Sequence, residues 1–409
     1  MTTSNSPALW SRAAADDLAR GLLSPLTWSV LSHSAERAMR AHYRAWGITL
    51  PADARIWRRI EGRAYLNTGV LTTADQAVAA GEAETATGGW RLFGRKPESR
   101  HAELLRAQLQ GAPAVFAATA RWWEQVSALT WRQATVLQVM EEIEPQAEAV
   151  LTVRDYLTTG LGSKRRQLTR WVAEWQPDAP HALFDDLFAG LDGREGWAQY
   201  RYDLQSLLQA ARQNAAAATW LRSGDGNAPA GAFGDALAGF LAAYGRWADQ
   251  PLEVASARWA EAPVTLYSRL AARLAEPPDP ALLSLQAAHT RRAAAAQALT
   301  ARLDTKQQRL FTPVFEQLQQ IVELLPASRA ALVTVIAAAR QWSFGAAQEG
   351  MADGRLLAAD DVFLLELEEL KQLMTGELND AAQVQALVAR RRAEQARWAG
   401  QEPPEIMQD

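Results

Sequence analysis

Histidines are the side chains in this sequence best suited to move protons or bind metals near neutral pH. The chain of 409 residues has five of them, at positions 33, 42, 101, 181 and 289. No two are three or four residues apart, so no pair shares a helix face as helical zinc ligands do. The chain has no Cys, which excludes disulfides, thiolate nucleophiles and cysteine metal sites. The sequence therefore predicts no metal site in this chain.

Charged residues form several short clusters. Solvated helix faces explain the paired carboxylates better than acid–base catalysis does. Surface charge is also the favoured interpretation of the two basic clusters, with phosphate contact as the alternative. The carboxylate pairs are Asp16-Asp17, Glu141-Glu142, Asp185-Asp186 and Glu368-Glu369, and the basic clusters are Lys164-Arg165-Arg166 and Arg390-Arg391-Arg392. We therefore assign no catalytic residue from these clusters.

Sequence signatures of phosphate binding and of nucleophilic catalysis are absent from the chain. There is no glycine-rich phosphate loop, no Gly-x-Ser-x-Gly turn and no kinase catalytic loop. A net charge of −4 does not attract nucleic acid or an anionic membrane. The first residues lack the apolar core of a signal peptide, and we find no uninterrupted apolar run of about 18 residues. We expect a cytoplasmic protein with neither a nucleic-acid nor a membrane partner.

The elements that must position any site are predicted to be helices. The chain is rich in Ala, Leu, Gln, Glu and Arg, which favour helices, and lacks long alternating strand patterns. Its 16 Trp suit the packing of closely spaced helices. We predict an all-α fold with at most one small β-hairpin, near residues 56–66. The predicted organisation is an N-terminal segment at 1–24, a helical body at 25–402 and a tail at 403–409. Subdomain breaks are expected near 176–180 and 277–280.

Three separated stretches together resemble one family. The first combines Pro25-Leu26-Thr27-Trp28-Ser29 with Gly62-Arg63-Ala64-Tyr65-Leu66-Asn67. The second combines Phe240-Leu241-Ala242-Ala243-Tyr244-Gly245 with Arg258-Trp259-Ala260-Glu261-Ala262-Pro263. The third runs from Gly354-Arg355-Leu356 through Asp360-Asp361-Val362-Phe363-Leu364 and Glu368-Glu369-Leu370 to Pro403-Pro404-Glu405-Ile406. In this order and at these separations they resemble the phosphoenolpyruvate synthase-like phosphotransferases, which include the rifampin phosphotransferases.

The resemblance covers the central helical portion of such an enzyme, which binds the acceptor. It implies that an ATP-grasp domain and a phosphohistidine domain, which this chain lacks, are supplied by partner proteins. ATP and magnesium are then expected only on a partner, and no phosphoryl transfer is expected from this chain alone. A small-molecule acceptor would bind near Tyr244 to Pro263, in a cavity closed by the Pro25 to Ser29 and Arg63 to Asn67 elements. The residues implied in binding are Thr27, Trp28, Arg63, Tyr65, Asn67, Tyr244, Arg246, Trp247, Glu253, Arg258, Trp259 and Glu261.

The second stretch departs from the family pattern after Tyr244-Gly245. The family has His and then Arg there, whereas this chain has Arg246 and Trp247. A histidine can shuttle a proton near pH 7, but an arginine stays protonated. Arg246 retains the ability to hold a phosphate by charge-assisted hydrogen bonds. The alternative is that Arg246 and Trp247 are replacements in a degenerate site. Glu253 keeps a carboxylate at one acidic position of the family.

Two classes of function stay open on the sequence. One is a helical substrate-binding subunit of a dikinase-type phosphotransferase that acts with ATP-grasp and phosphohistidine partners. The other is a non-catalytic binding or regulatory protein derived from that family, which the altered Arg246-Trp247 segment favours.

Overall fold

A computed structural model describes residues 9–87, 100–223, 228–277 and 284–408. The chain divides into two compact units. The first unit comprises Met1–Asp155, Gln250–Ser256 and Ala331–Asp409, and the second comprises Tyr156–Asp249 and Ala257–Ala330. The unit boundaries at Asp155 and Ala330 fall inside two long helices. Each unit is therefore built from segments that are far apart in the sequence.

The first unit combines long helices with one small sheet. Its helices are α1 (Pro25–Ala45), α2 (Thr68–Thr87), α3 (Arg100–Ser127), the first part of α4 (Gln133–Trp175), the last part of α11 (Thr305–Ala352), α12 (Leu367–Thr375) and α13 (Ala381–Ala399). Its strands are β1 (Leu9–Ser11), β2 (Trp57–Ile60), β3 (Arg63–Asn67) and β4 (Ile406–Gln408). A short 3₁₀ turn at Ala359–Leu364 precedes α12.

The sheet is antiparallel, with strand order β2-β3-β1-β4. The predicted hairpin is its β2-β3 pair, in which Ile60 lies opposite Arg63. The two residues between the strands, Glu61 and Gly62, have φ values of 48° and 72°, as a tight type I′ turn requires. A side chain at position 62 would collide with Leu22 and Trp398, which are 2.4 and 2.9 Å from an ideal Cβ. Glycine is therefore needed there for both conformation and space.

The other two strands were not expected from the sequence. β1 pairs with β3 and with β4, so a strand from the N-terminal segment joins a strand from the C-terminal tail. Each has three residues, which is too short for an alternating pattern to stand out. The prediction of an all-α fold with a small β element is nevertheless confirmed, because the described residues are predominantly helical.

The second unit is helical throughout its described residues. It contains the last part of α4, α5 (His181–Leu187), α6 (Ala198–Arg212), α7 (Ala215–Ser223), α8 (Ala232–Tyr244), α9 (Pro263–Arg273), α10 (Leu285–Thr300) and the first part of α11. A 3₁₀ turn at Glu195–Trp197 precedes α6. One apolar core joins α4, α5, α10 and α11 around Leu168, Leu187, Leu299, Phe311 and Leu318.

Several helix boundaries differ from those that proline and glycine signals suggest. α4 is one helix of 43 residues with Pro145 inside it, and α11 is one helix of 48 residues with Pro313 and Pro326 inside it. Tertiary packing overrides the local cost of an internal proline in both. The predicted break at 176–180 lies between α4 and α5. The predicted break at 277–280 falls almost entirely outside the described residues.

Among the described helices, α11 is the one long and apolar enough to cross a membrane by length and composition. Its apolar window is 72% buried inside the protein. This burial accounts for its hydropathy, because a core helix covered on all sides is apolar all round.

Candidate functional site

The twelve residues implied in binding fall into two groups. Six of them lie in the first unit and six in the second. The first group is Thr27, Trp28, Arg63, Tyr65, Asn67 and Glu253, and the second group is Tyr244, Arg246, Trp247, Arg258, Trp259 and Glu261.

Glu253 and Thr27 meet at the start of α1. Ser24 is the N-cap of this helix, and Pro25 occupies its first turn. The Glu253 carboxylate accepts hydrogen bonds from Ser24 Oγ at 2.6 Å, Thr27 Oγ1 at 2.7 Å, the Ser24 amide at 3.0 Å and the Ala255 amide at 2.8 Å. The Glu253 side chain is buried. Its carboxylate therefore serves to fix the N-terminus of α1, where negative charge is favoured.

Arg63, Tyr65 and Asn67 alternate along β3, so their side chains lie on one face of the strand. Arg63 donates to the carbonyl oxygens of Trp398 (3.2 Å) and Gln401 (2.6 Å), and the Tyr65 hydroxyl donates to the carbonyl of Pro404. Asn67 accepts a bond from the amide of Val70 at the start of α2. All three side chains thus bind backbone groups and hold neighbouring chain segments.

Trp28 is half-buried on α1 and lines a small apolar pocket within the first unit. The pocket also includes Trp57 of β2 and Leu151 of α4. Of the six residues in the first group, Trp28 lines this pocket and the other five do not.

Several aromatic residues of the second unit pack around Tyr200 on α6. The Trp247 indole stacks on the Tyr200 ring at 4.6 Å between centroids, and the Trp259 indole stacks at 5.8 Å. Phe240 and Tyr244 of α8 complete the cluster at 6.3 and 5.4 Å from Tyr200. Trp247 is 5% exposed and Trp259 is fully buried. We call these five residues the aromatic cluster.

The loop after α8 is fixed by backbone bonds rather than by a regular element. The Trp259 amide donates to the Trp247 carbonyl and the Ala260 amide to the Gly245 carbonyl, both at 2.8 Å. The Arg258 amide donates to the Glu261 carboxylate at 3.2 Å, and the Arg258 side chain is buried. These bonds hold the Tyr244-Gly245 stretch and the Arg258–Glu261 stretch next to each other.

Tyr244 and Asp203 form a polar pair at the edge of the aromatic cluster. The Tyr244 hydroxyl donates to Asp203 Oδ2 at 2.5 Å, and Gln199 Nε2 donates to Asp203 Oδ1 at 2.8 Å. Burial raises the pKa of Tyr244 well above its usual range, and the hydrogen bond and charge of Asp203 raise this pKa further. The Tyr244 hydroxyl therefore stays protonated near neutral pH and acts as a donor. Both side chains are half-buried.

Arg246 is exposed, whereas its neighbour Trp247 points into the aromatic cluster. A guanidinium side chain binds anionic groups by charge-assisted hydrogen bonds. In this Arg246-Trp247 pair, only the arginine therefore presents its side chain to solvent.

Sequence reasoning missed Tyr200, Asp203, Trp197 and Arg329, which surround the predicted residues of the second unit. Trp197 packs edge-on against Trp247 at 5.8 Å, and the Arg329 guanidinium lies 4.3 Å from the centre of the Trp197 ring. The only signal in the sequence is that Tyr200 and Asp203 are three residues apart on one helix. Nothing in the sequence connects them to Trp247, which lies 47 positions beyond Tyr200.

Buried charges also occur away from these groups. In the second unit, Arg292 donates to Gln319 Oε1 at 2.7 Å and to the Ala189 carbonyl at 2.6 Å, and burial lowers its pKa to about 10. In the first unit, burial raises the pKa of Asp155 to about 7, against the opposing charge of Arg154. Within the described ranges, no three His, Asp or Glu side chains are grouped to hold a metal ion.

Residues 157–325 match a family model described as the rifampicin phosphotransferase fourth domain. The resemblance to the helical portion of phosphoenolpyruvate-utilising and rifampin phosphotransferases is thereby confirmed for these residues. The match contains the second of the three motif stretches, with Tyr244 and Trp259, and the described aromatic cluster. No curated protein matches the chain.

Proposed function

We propose that this chain supplies the acceptor-binding helical component of a phosphoenolpyruvate synthase-like phosphotransferase. The match of residues 157–325 to the rifampicin phosphotransferase fourth domain is the observation that carries this proposal. In the proposal, ATP-grasp and phosphohistidine partners perform the phosphoryl chemistry and hold ATP and magnesium. The sequence supports this division, because it contains no phosphate-binding glycine loop, and phosphoryl transfer needs the phosphates held and neutralised.

The surface beside the aromatic cluster is the proposed acceptor site. Tyr244 is half-buried there, its hydroxyl donates to the Asp203 carboxylate, and the exposed Arg246 follows two residues after Tyr244. Aromatic rings suit an aromatic or polyketide-like acceptor, and a guanidinium suits a phosphate arriving on the partner. Trp247 and Trp259 support this surface from beneath, because their rings are buried in packing.

Binding of rifampicin, measured by titration calorimetry, tests the proposed site. Arg246→Ala and Tyr244→Phe should each weaken binding, by about threefold to tenfold for the loss of one hydrogen bond. Arg170→Ala is the matched control, because Arg170 is an exposed arginine on α4 in the same unit. Equal affinities in all three variants and the parent would exclude this surface.

Reconstitution tests the phosphotransferase role. The chain is combined with the ATP-grasp and phosphohistidine domains of a rifampicin phosphotransferase, each produced as a separate protein, and phosphorylated rifampicin is measured. We expect product only when all three proteins are present, and no label on this chain from β- or γ-labelled ATP alone. Stoichiometric labelling of a histidine in the isolated chain would contradict the proposal.

The alternative is a non-catalytic binding or regulatory protein. The packing of Trp247 supports it, because this residue stands where the family has an arginine and its side chain is committed to the aromatic cluster. Saturable rifampicin binding without any product in the reconstituted mixture would favour this alternative.

A further inference from the structure

Two glutamates of α4 face a histidine and an arginine of α1 in the first unit. Arg37 donates from Nε to Glu148 Oε2 at 2.6 Å and from Nη2 to Glu144 Oε2 at 3.0 Å. His33 Nδ1 lies 3.3 Å from the other oxygen of the same carboxylate, Glu144 Oε1. On each helix the two residues are four positions apart, so they share one helix face. We call these four residues the α1–α4 cluster.

The charge balance of the α1–α4 cluster depends on the protonation of His33. With a neutral imidazole, two carboxylates face one guanidinium, whereas a protonated imidazole makes the two signs equal. Histidine is the side chain whose charge ordinarily changes near neutral pH. The side chain of His33 is 63% exposed, so it exchanges protons with solvent, and the side chain of Glu144 is only 22% exposed. The partly buried carboxylate is screened less than one on the open surface.

Glu366 adds a further negative charge near His33. The Leu367 amide at the start of α12 donates to Ser29 Oγ at 3.0 Å, and Ser29 lies one turn before His33 on α1. This bond brings the neighbouring Glu366 to the same part of α1. Glu366 also lies 3.8 Å from Arg391 of α13, an exposed pair that screens it in part. The imidazole therefore has carboxylates from two other elements around it.

These surroundings favour the charged form of His33. The hydrogen bond to Glu144 raises the pKa of His33 above its ordinary value of 6.5, and the charges of Glu144 and Glu366 raise it further. Partial burial and the charge of Arg37 oppose this rise. The folded chain thus binds the proton more tightly than the unfolded chain does. The resulting stabilisation is present in full below about pH 6.5 and is lost as the pH rises through the folded-state pKa of His33.

We infer that the contact between α1 and α4 is a pH-dependent device: protonated His33 shares the Glu144 carboxylate with Arg37 and holds α1 against α4, and neutral His33 weakens this attachment. α1 is the helix that begins with Pro25 of the first motif stretch. The inference is independent of the proposed phosphotransferase role, because every residue of the α1–α4 cluster belongs to the first unit. Its failure would leave the proposed acceptor site in the second unit untouched.

A titration of the imidazole tests the pairing. The imidazole resonances of the ¹⁵N-labelled full chain are followed by NMR from about pH 5 to about pH 9, and those of His33 are identified by their loss in His33→Gln. We expect Glu144→Gln to lower the pKa of His33, because it removes the charged acceptor. Glu124→Gln is the matched control, since it removes the same charge from an exposed side chain on α3 and should leave the pKa of His33 unchanged. An equal pKa of His33 in the parent and in Glu144→Gln would overturn the inference.

A double-mutant cycle of His33→Gln and Glu144→Gln tests the attachment itself. Urea denaturation of the parent, the two single variants and the double variant gives their unfolding equilibrium constants at about pH 5.5 and about pH 8.5. At the lower pH we expect the two residues to be coupled by about twofold to fivefold in this constant, as partly exposed ion pairs are. At the higher pH the coupling should disappear. The bonds of Arg37 and the titration of other groups cancel in the cycle. A coupling of the same size at both pH values, or none at either, would contradict the inference.

Discussion

The two units of this molecule stabilise their irregular segments by different means. In the first unit, the buried Glu253 carboxylate bonds the Ser24 and Thr27 side chains, which precede it by 229 and 226 positions. In the second unit, the loop after α8 is held by two backbone hydrogen bonds and by aromatic rings packed around Tyr200. Hydrogen bonds of the first kind need particular partners at particular distances, whereas ring packing depends on volume and contact area.

Because of this difference, the two units are sensitive to different kinds of substitution. A conservative polar substitution at Glu253 leaves donors without acceptors, although the volume is unchanged. A conservative aromatic substitution in the aromatic cluster keeps most of the contact, and only truncation opens a cavity. Three substitutions measure the contrast.

Truncation of Trp259 is expected to have the largest effect. Its side chain is fully buried against Tyr200 and Phe240. Trp259→Ala should lower the free energy of unfolding by about 3–5 kcal/mol, as large-to-small core changes do. The Trp259→Phe control should cost less than half of that, because Trp259 Nε1 has no hydrogen-bond partner within the described part of the chain. Urea denaturation measures the free energy of unfolding of both variants. Equal losses in the two variants would show that an aromatic ring at position 259 does not contribute to stability.

Substitution of Asp155 tests a buried polar group of the first unit that is poorly satisfied. Burial raises its pKa to about 7, well above its ordinary value of 3.8. Between these values the folded state holds a proton that the unfolded state has lost, so stability falls as the pH rises from about 4 to about 7.

Asp155→Asn removes this penalty. The variant should gain stability over the parent across that pH window, up to about 4 kcal/mol at pH 8, since one pKa unit corresponds to about 1.4 kcal/mol. His42, whose pKa burial lowers to about 4, titrates in both proteins and cancels in the difference. Asp16→Asn provides the baseline for an exposed carboxylate. A stability difference that did not vary between pH 4 and pH 8 would contradict the prediction.

Substitution of Glu253 is expected to have the smallest of the three effects. Glu253→Gln keeps the shape but places an amide donor among four donors. It should cost about 2 kcal/mol, as the loss of a buried acceptor and of a helix cap does. Amide hydrogen exchange should quicken first in the initial turn of α1. Glu261→Gln, on an exposed side chain, should change stability by less than about 0.5 kcal/mol. An effect of the same size in both variants would remove the special role of Glu253.

A large part of the fold follows from the sequence because it depends on local signals. Composition predicted helices, and Ser24-Pro25 and Asp380 stand at the N-termini where helix-start signals occur. The hairpin predicted near residues 56–66 is the β2-β3 pair of the structure. These features depend on residues that are close in the chain, so they can be predicted without the tertiary structure.

The motif residues show what local sequence patterns do not predict. Thr27, Glu253, Tyr244 and Trp259 were singled out together by resemblance, yet their surroundings were not predictable. The donors around Glu253 and the rings around Tyr200 come from segments tens to hundreds of positions apart. The sequence also did not predict which candidate residues are buried and which face solvent. Trp247 is buried and Arg246 is exposed.

The helical class, the hairpin and the family resemblance of residues 157–325 follow from the linear chain, because helix propensity, turn chemistry and motif order are properties of the sequence. Two further features emerge in the folded chain: short strands from its two ends pair with each other, and α4 and α11 continue through their prolines. Both outcomes depend on burial and on hydrogen bonds between distant segments. The free energy of such contacts outweighs local conformational preference. The residues that make these contacts show no periodic sequence pattern from which they could be predicted.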